Sequence, residues 1–155
     1  MNILFTCAGR RNYLINYFKD AIKGKGKIIA VDMKLSAPAL VDADISEIVP
    51  NIYDENYIPT LIKVIQEYGV NAIISLNDLE LPILAANKNQ LEKLGARVLI
   101  SSEDIIDICF DKWKTYHFFK KIGVKTPLTF VNINTAKVAI QKKELNFPLI
   151  VKPRW

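Results

Sequence analysis

Apolar residues along this chain fall into two alternating patterns. Short, nearly continuous apolar runs at 2–6, 27–31, 47–49, 72–76 and 97–100 read as strands. Between them, apolar positions recur at three- and four-residue spacing. Leu14, Tyr17, Phe18, Ala21 and Ile22 mark a first helix, stopped by Gly24 and Gly26. Ile58, Leu61, Ile62 and Ile65 mark a second, ended by Gly69, and Leu84, Leu91 and Leu94 mark a third, ended by Gly95. The SAPAL stretch at 36–40 reads as part of a long loop. Ser101 and Ser102, followed by Glu103 and Asp104, resemble a helix cap.

Strands that are apolar on both faces, separated by amphipathic helices, predict an α/β fold: a Rossmann-like, doubly wound parallel sheet over residues 1–110. Right-handed crossovers then favour the strand order 3-2-1-4-5. After residue 110 the texture changes. FDKWKTYHFFKKIG is an aromatic-rich helix ended by Gly123. VKTPLTF is an extended linker, because the residue before Pro127 is pushed out of the helical region. A weaker helix at 135–145 leads into 149–151, which reads as a buried strand. Residues 111–155 are therefore expected to open a second domain. An apolar strand followed at once by Lys-Pro-Arg-Trp reads as a point where more chain should follow, since such an ending leaves backbone unpaired.

Composition narrows the class. The 155 residues are half apolar and about a quarter charged, as in a globular domain. No apolar run approaches a membrane span of about 18 residues, and MNILFTCAGRR lacks the features of a signal peptide. The net charge of +5 comes from 21 basic and 16 acidic residues, densest at KGKGK (23–27). That stretch reads as a solvated turn, without the aromatics or module of a nucleic-acid binder. Cys7 and Cys109 sit in apolar contexts and read as buried free thiols of a reducing compartment, hence a cytoplasmic protein. An exposed terminal strand would also allow a homo-oligomer.

In a doubly wound sheet, ligands sit beyond the carboxyl ends of the strands. Those ends carry Cys7-Ala8-Gly9-Arg10, Asp32 and Asn77-Asp78-Leu79-Glu80. Gly9 and Arg10 fit either a tight turn or an anion site at the helix that follows. Asp32 stands where a nicotinamide enzyme places its ribose acid, but the G-x-G-x-x-G fingerprint is absent. Asn77, Asp78 and Glu80 fit either a helix cap or a grip on an amine or hydroxyl. The single histidine, His117, has no companions at metal-ligand spacing. Neither cysteine has an identifiable catalytic partner. Lys112 and Lys152 are each, alone, as well read as solvated side chains as phosphate ligands.

The order DKWKTYHFFKKIGVKTP, then FPLIVKP some twenty residues later, resembles the ATP-grasp superfamily, in its carbamoyl-phosphate-synthase-like, carboxylate–amine ligase branch. The resemblance implies a preATP-grasp domain followed by the start of the ATP-binding lobe. It implies that Lys112 and Lys152 contact ATP phosphates, and that the loops carrying Gly9, Arg10, Asp32, Asn77, Asp78 and Glu80 help bind a small carboxylate or amine substrate. The intact enzyme would use ATP and Mg²⁺ and act through an acyl phosphate, with carbamoyl phosphate as only one of the products open to it. The family's Gly-rich loop and metal ligands come after this sequence, so the chain alone is expected to be inactive, with no metal site and no catalytic residue of its own. The rival reading is a non-catalytic Rossmann-like module binding a small ligand or partner.

Overall fold

The computed structural model describes residues 1–155 throughout. The chain divides into two compact units, Met1–Glu103 and Asp104–Trp155. The first holds five strands, β1 (Asn2–Thr6), β2 (Ile28–Asp32), β3 (Ile45–Ile48), β4 (Val70–Ser75) and β5 (Arg97–Val98). All pair in parallel, in the order β3-β2-β1-β4-β5 that the sequence pattern predicts. Its helices are α1 (Asn12–Ile22), α2 (Pro38–Asp42), α3 (Tyr57–Tyr68) and α4 (Leu81–Glu92), with a 3₁₀ turn at Asp78–Glu80 before α4.

Each strand sends alternate side chains to opposite faces, so a sheet covered on both sides needs apolar residues at every position. Leu4, Ile29, Ile73 and Val98 pack on one face with Leu61 and Ile65 of α3 and Leu84 and Leu91 of α4. Ile3, Phe5, Ile28 and Ala30 pack on the other with Ile15 of α1 and Ala39 and Leu40 of α2. Phe18 of α1 meets Phe5 edge-on at 4.9 Å. Each fully buried Leu or Ile stabilises the fold by about 1.5–3 kcal/mol.

Several local readings change. The SAPAL stretch contains α2, with Pro38 at its first turn, where a preset φ favours a helix start. Five residues are too few to show a helical period. β1 coincides with its apolar run, and the other strands begin and end within two residues of theirs. The α1 helix ends at Lys23, which is left-handed (φ +48°) and donates its amide to the Lys19 carbonyl. Gly26 has another reason: a Cβ there would lie 1.9 Å from the Met1 carbonyl oxygen.

The second unit holds α5 (Glu103–Phe110), α6 (Lys112–Lys121) and α7 (Ile133–Gln141). Asp111 caps α6 by accepting the amides of Trp113 (2.8 Å) and Lys114 (3.3 Å). Asn132 caps α7 in the same way. Residues 124–130 adopt no regular element, as the linker reading requires. The strand expected at 149–151 does not form, and Ile150 and Val151 are 87% and 98% exposed. A strand needs a neighbour to pair with, and this unit is otherwise helical. The expectation of two buried thiols is corrected as well. Cys109 is exposed on α5, and only Cys7 is partly covered.

Candidate functional site: a cleft at the carboxyl ends of the sheet

The loops following β1 to β4 surround a cleft of about 700 Å³ in the first unit. One wall is the turn from β1 into α1. Cys7 and Gly9 both have positive φ (+48° and +52°), which folds the chain back sharply. Space is not what demands glycine at position 9, since a Cβ would meet nothing closer than 3.7 Å. The left-handed backbone is. The Gly9 amide donates to Asp32 Oδ2 at 2.9 Å, and the Gly9 carbonyl accepts the Ala39 amide at 3.1 Å. Asp32 Oδ1 accepts the Lys34 amide at 2.9 Å. Asp32 thus brackets two loops with both of its oxygens.

Beneath the cleft lies a fully buried carboxylate. Glu80 is 0% exposed and accepts three hydroxyls: Thr6 Oγ1 at 2.7 Å, Ser75 Oγ at 2.5 Å and Tyr57 Oη at 2.5 Å. These donors come from β1, β4 and α3, so one side chain ties together the elements that frame the cleft. Burial and the Glu80 charge push the Tyr57 hydroxyl far above its ordinary range. Cys7 Sγ lies 4.0 Å from Tyr57 Oη, and its thiol is pushed up to about 12, first by burial and then by Glu80.

Gly9, Arg10, Asp32 and Asn77 line the cleft, together with Arg11, Lys34 and Tyr57. Asp78 is exposed outside the lining, and Glu80 lies under the floor with no free access to a ligand. Asn77 rather than Asp78 caps the 3₁₀ turn, accepting the Leu79 amide at 3.1 Å, and Glu80, the N-cap of α4, offers that helix no side-chain cap. The sequence reading misses Arg11 and Lys34, although each lies within two residues of a strand-end residue that it does single out, Arg10 or Asp32. Tyr57 gave no signal beyond its place at a helix start.

Lys112 and Lys152 belong to the second unit. The Lys112 amide donates to the Arg154 carbonyl at 3.0 Å, and the Arg154 guanidinium grips both oxygens of Asp111. These bonds hold the segment carrying Lys152 against the start of the helix carrying Lys112. His117 is exposed and stands edge-on to Trp113 at 4.3 Å. No three His, Cys, Asp or Glu side chains gather in a way that could hold a metal ion. No helix is long and apolar enough to cross a membrane.

The family model of the PylC-like N-terminal domain matches residues 3–99, the whole sheet and its cleft. The chain belongs to this family. Outside it, this PylC-like chain is 28% identical over 145 residues to the carbamoyl phosphate synthase large chain of Haemophilus ducreyi, covering 87% of this chain and 13% of that protein. In structure it is similar to the L-amino acid ligase from Bacillus licheniformis (TM-score 0.66, 19% identity, 99% of this chain and 37% of that one). It is also similar to N5-carboxyaminoimidazole synthetase from Staphylococcus aureus complexed with ADP (TM-score 0.64, 18% identity, 99% of this chain and 38% of that one). The sheet of the PylC-like domain matches the Rossmann-like preATP-grasp domain of ATP-grasp enzymes. The chain spans between an eighth and two fifths of the lengths of these proteins.

Proposed function

We propose that this chain supplies the N-terminal part of an ATP-dependent ligase that joins a small carboxylate to an amine or ammonia. The observation that carries this reading is the clamp between Arg154 and the start of α6. It ties Arg154, two residues after Lys152, to the helix start that carries Lys112, which supports a shared role for these two cations from separate segments. Lysine suits phosphate oxygens as a mobile point charge. In the reaction class, a carboxylate oxygen attacks the terminal phosphorus of ATP and ADP leaves. The amine nitrogen then attacks the acyl carbon of the acyl phosphate and inorganic phosphate leaves. In that reaction the part of this chain is to bind phosphate oxygens through Lys112 and Lys152 and substrate through the cleft. The free thiols of Cys7 and Cys109 suit a cytoplasmic enzyme.

The test is nucleotide binding by the full-length protein. Lys112→Ala and Lys152→Ala should each weaken ATP affinity by about tenfold, the size expected for one lost charge-assisted contact. Unchanged affinity in both variants would remove the nucleotide role. Absence of ADP formation with a broad panel of carboxylates and amines would leave the chain as a binding module.

A further inference from the structure

The edge of the sheet at β3 is open. In the order β3-β2-β1-β4-β5, β3 has a neighbour on one side only, so the N–H and C=O groups of alternate residues have no strand partner. The opposite edge, β5, is blunted by its two-residue length and by the exposed Arg97. Nothing comparable guards β3. Its sequence, Ile-Ser-Glu-Ile, has no lysine, arginine or proline, and it pairs with β2 in one register over all four residues. The two acids at this strand are engaged within the chain. Glu47 accepts the Tyr68 hydroxyl at 2.6 Å, and Asp44 is held by the Ile28 amide at 2.8 Å and by Lys19 at 3.2 Å. Beside this edge runs a groove of about 370 Å³, lined by Leu35, Leu40, Val41, Ser46, Glu47 and Ile48. Leu35 and Val41 are each 82% exposed, and Ile48 is 47% exposed.

We infer that β3 is the contact through which two copies of this chain associate, each strand pairing antiparallel with the other across a two-fold axis at Ser46. The groove's apolar residues sit at its two ends, and this selects a second copy. Leu35 follows β2 at its carboxyl end, level with Ile48, which ends β3, whereas Val41 lies in α2 just before β3 begins. An antiparallel copy therefore carries its Leu35 and Ile48 to the Val41 of the first. The reverse contact follows by symmetry, as an isologous interface requires. An unrelated strand would have to reproduce this spacing, which the chain already has. Charge then sets the register. With the axis at Ser46, Ser46 faces its own copy and Glu47 faces Ile45. An axis at Glu47 would set two carboxylates directly opposite each other, which is unfavourable. The pairing joins the two five-stranded sheets into one and closes the open edge of each. It uses the first unit alone and does not rest on the ligase reading.

The experiment joins sedimentation equilibrium to cysteine cross-linking, both on the 155-residue chain. The unaltered chain is expected to show a reversible monomer–dimer equilibrium. Ser46→Lys sets two like charges across the axis and should weaken the dimer by about tenfold or more. Natural sheet edges carry lysine, and an unchanged circular-dichroism spectrum confirms that this variant is folded. Ile150→Ser/Val151→Ser, in the other exposed apolar segment, should leave the dimer unchanged. For the register, Cys109→Ser first removes the exposed native thiol. In that background Ser46→Cys should oxidise to a disulfide-linked dimer, because residues that face each other in an antiparallel pair have Cα atoms about 4.5–5.5 Å apart, within the span of a disulfide. Ile48→Cys should not, since its own copy lies four residues further along the strand, about 13 Å away. A chain that stays monomeric up to about 1 mM, a dimer that Ser46→Lys leaves intact or that Ile150→Ser/Val151→Ser abolishes, or equal cross-linking at positions 46 and 48 would overturn the proposal.

Discussion

Arg154 and Asp111 are 43 residues apart in sequence, yet the Arg154 Nε lies 2.9 Å from both carboxylate oxygens of Asp111. The same carboxylate caps α6. Together with the bond from the Lys112 amide to the Arg154 carbonyl, this pair ties residues 146–155 to the start of α6. Arg154→Ala should therefore abolish hydrogen-exchange protection at the Lys112 amide, whose acceptor is the Arg154 carbonyl. Protection that persists would show the segment to be held by something else.

Acid should release the same clamp. The Arg154 hydrogen bonds hold the Asp111 carboxyl well below the usual carboxylate range, outweighing the opposing effect of burial. A depressed folded value means that the unfolded chain takes up its proton first. The stabilisation is complete above the unfolded value of about 3.9 and is lost as pH falls below it. Protection of the Trp113 and Lys114 amides, corrected for intrinsic exchange, should fall from about pH 4 downward. In Asp111→Ala, which removes the cap, it should be low already at pH 7 and nearly flat with pH. A wild-type profile in that variant would contradict the assignment.

Glu80 should act on stability. Glu80→Ala leaves the buried hydroxyls of Thr6 and Tyr57 without their acceptor and takes one acceptor from half-buried Ser75, and should cost about 4 kcal/mol in urea unfolding. Tyr57→Phe removes one donor to a charged group and should cost about 2 kcal/mol. A Glu80→Ala loss below about 1 kcal/mol would mean that the hydroxyls find other partners.

The two thiols should differ sharply. Cys7, raised to about 12, stays protonated at pH 8 and should resist a thiol-specific disulfide reagent in the native state. Cys109 is exposed and should react. One fast thiol, lost in Cys109→Ser, is the expected count; two fast thiols would show that the Cys7 loop opens readily.

Gly26 offers a test of packing rather than of turn chemistry. Its would-be Cβ meets the backbone of Met1, which cannot rotate away, so Gly26→Ala must displace the start of β1. We expect a loss of about 1–3 kcal/mol, the range for overpacking. Gly24→Ala, with open space around it, should suffer only the cost of a left-handed alanine, about 1 kcal/mol.

The sheet was legible because a doubly covered strand must be apolar through its middle, and this chain keeps that rule in Ile3–Phe5 of β1 and Ile28–Val31 of β2, with polar residues only at the strand ends. The strand order followed from taking the right-handed crossovers to build a doubly wound sheet. What the sequence hid was whatever depends on a partner distant along the chain. LIV at 149–151 is as apolar as β2, yet without a neighbouring strand it forms no element and leaves Ile150 and Val151 exposed. Glu80 looked like a ligand group because charged residues are seldom buried. Only the convergence of Thr6, Tyr57 and Ser75, from three other places in the sequence, makes its burial tolerable. Gly9, Arg10, Asp32 and Asn77 were placed by their strand ends, and strand ends are what the apolar pattern locates best.

The peptide unit at Gly9 is bonded on both sides to the connection that follows β2, through Asp32 and through Ala39. Two walls of the cleft thereby behave as a single mechanical piece. A ligand cannot pull one inward without breaking a bond to the other, so selection there works by fit to a preset shape, and residue 39 in the small helix α2 becomes a lever on the geometry of residue 9.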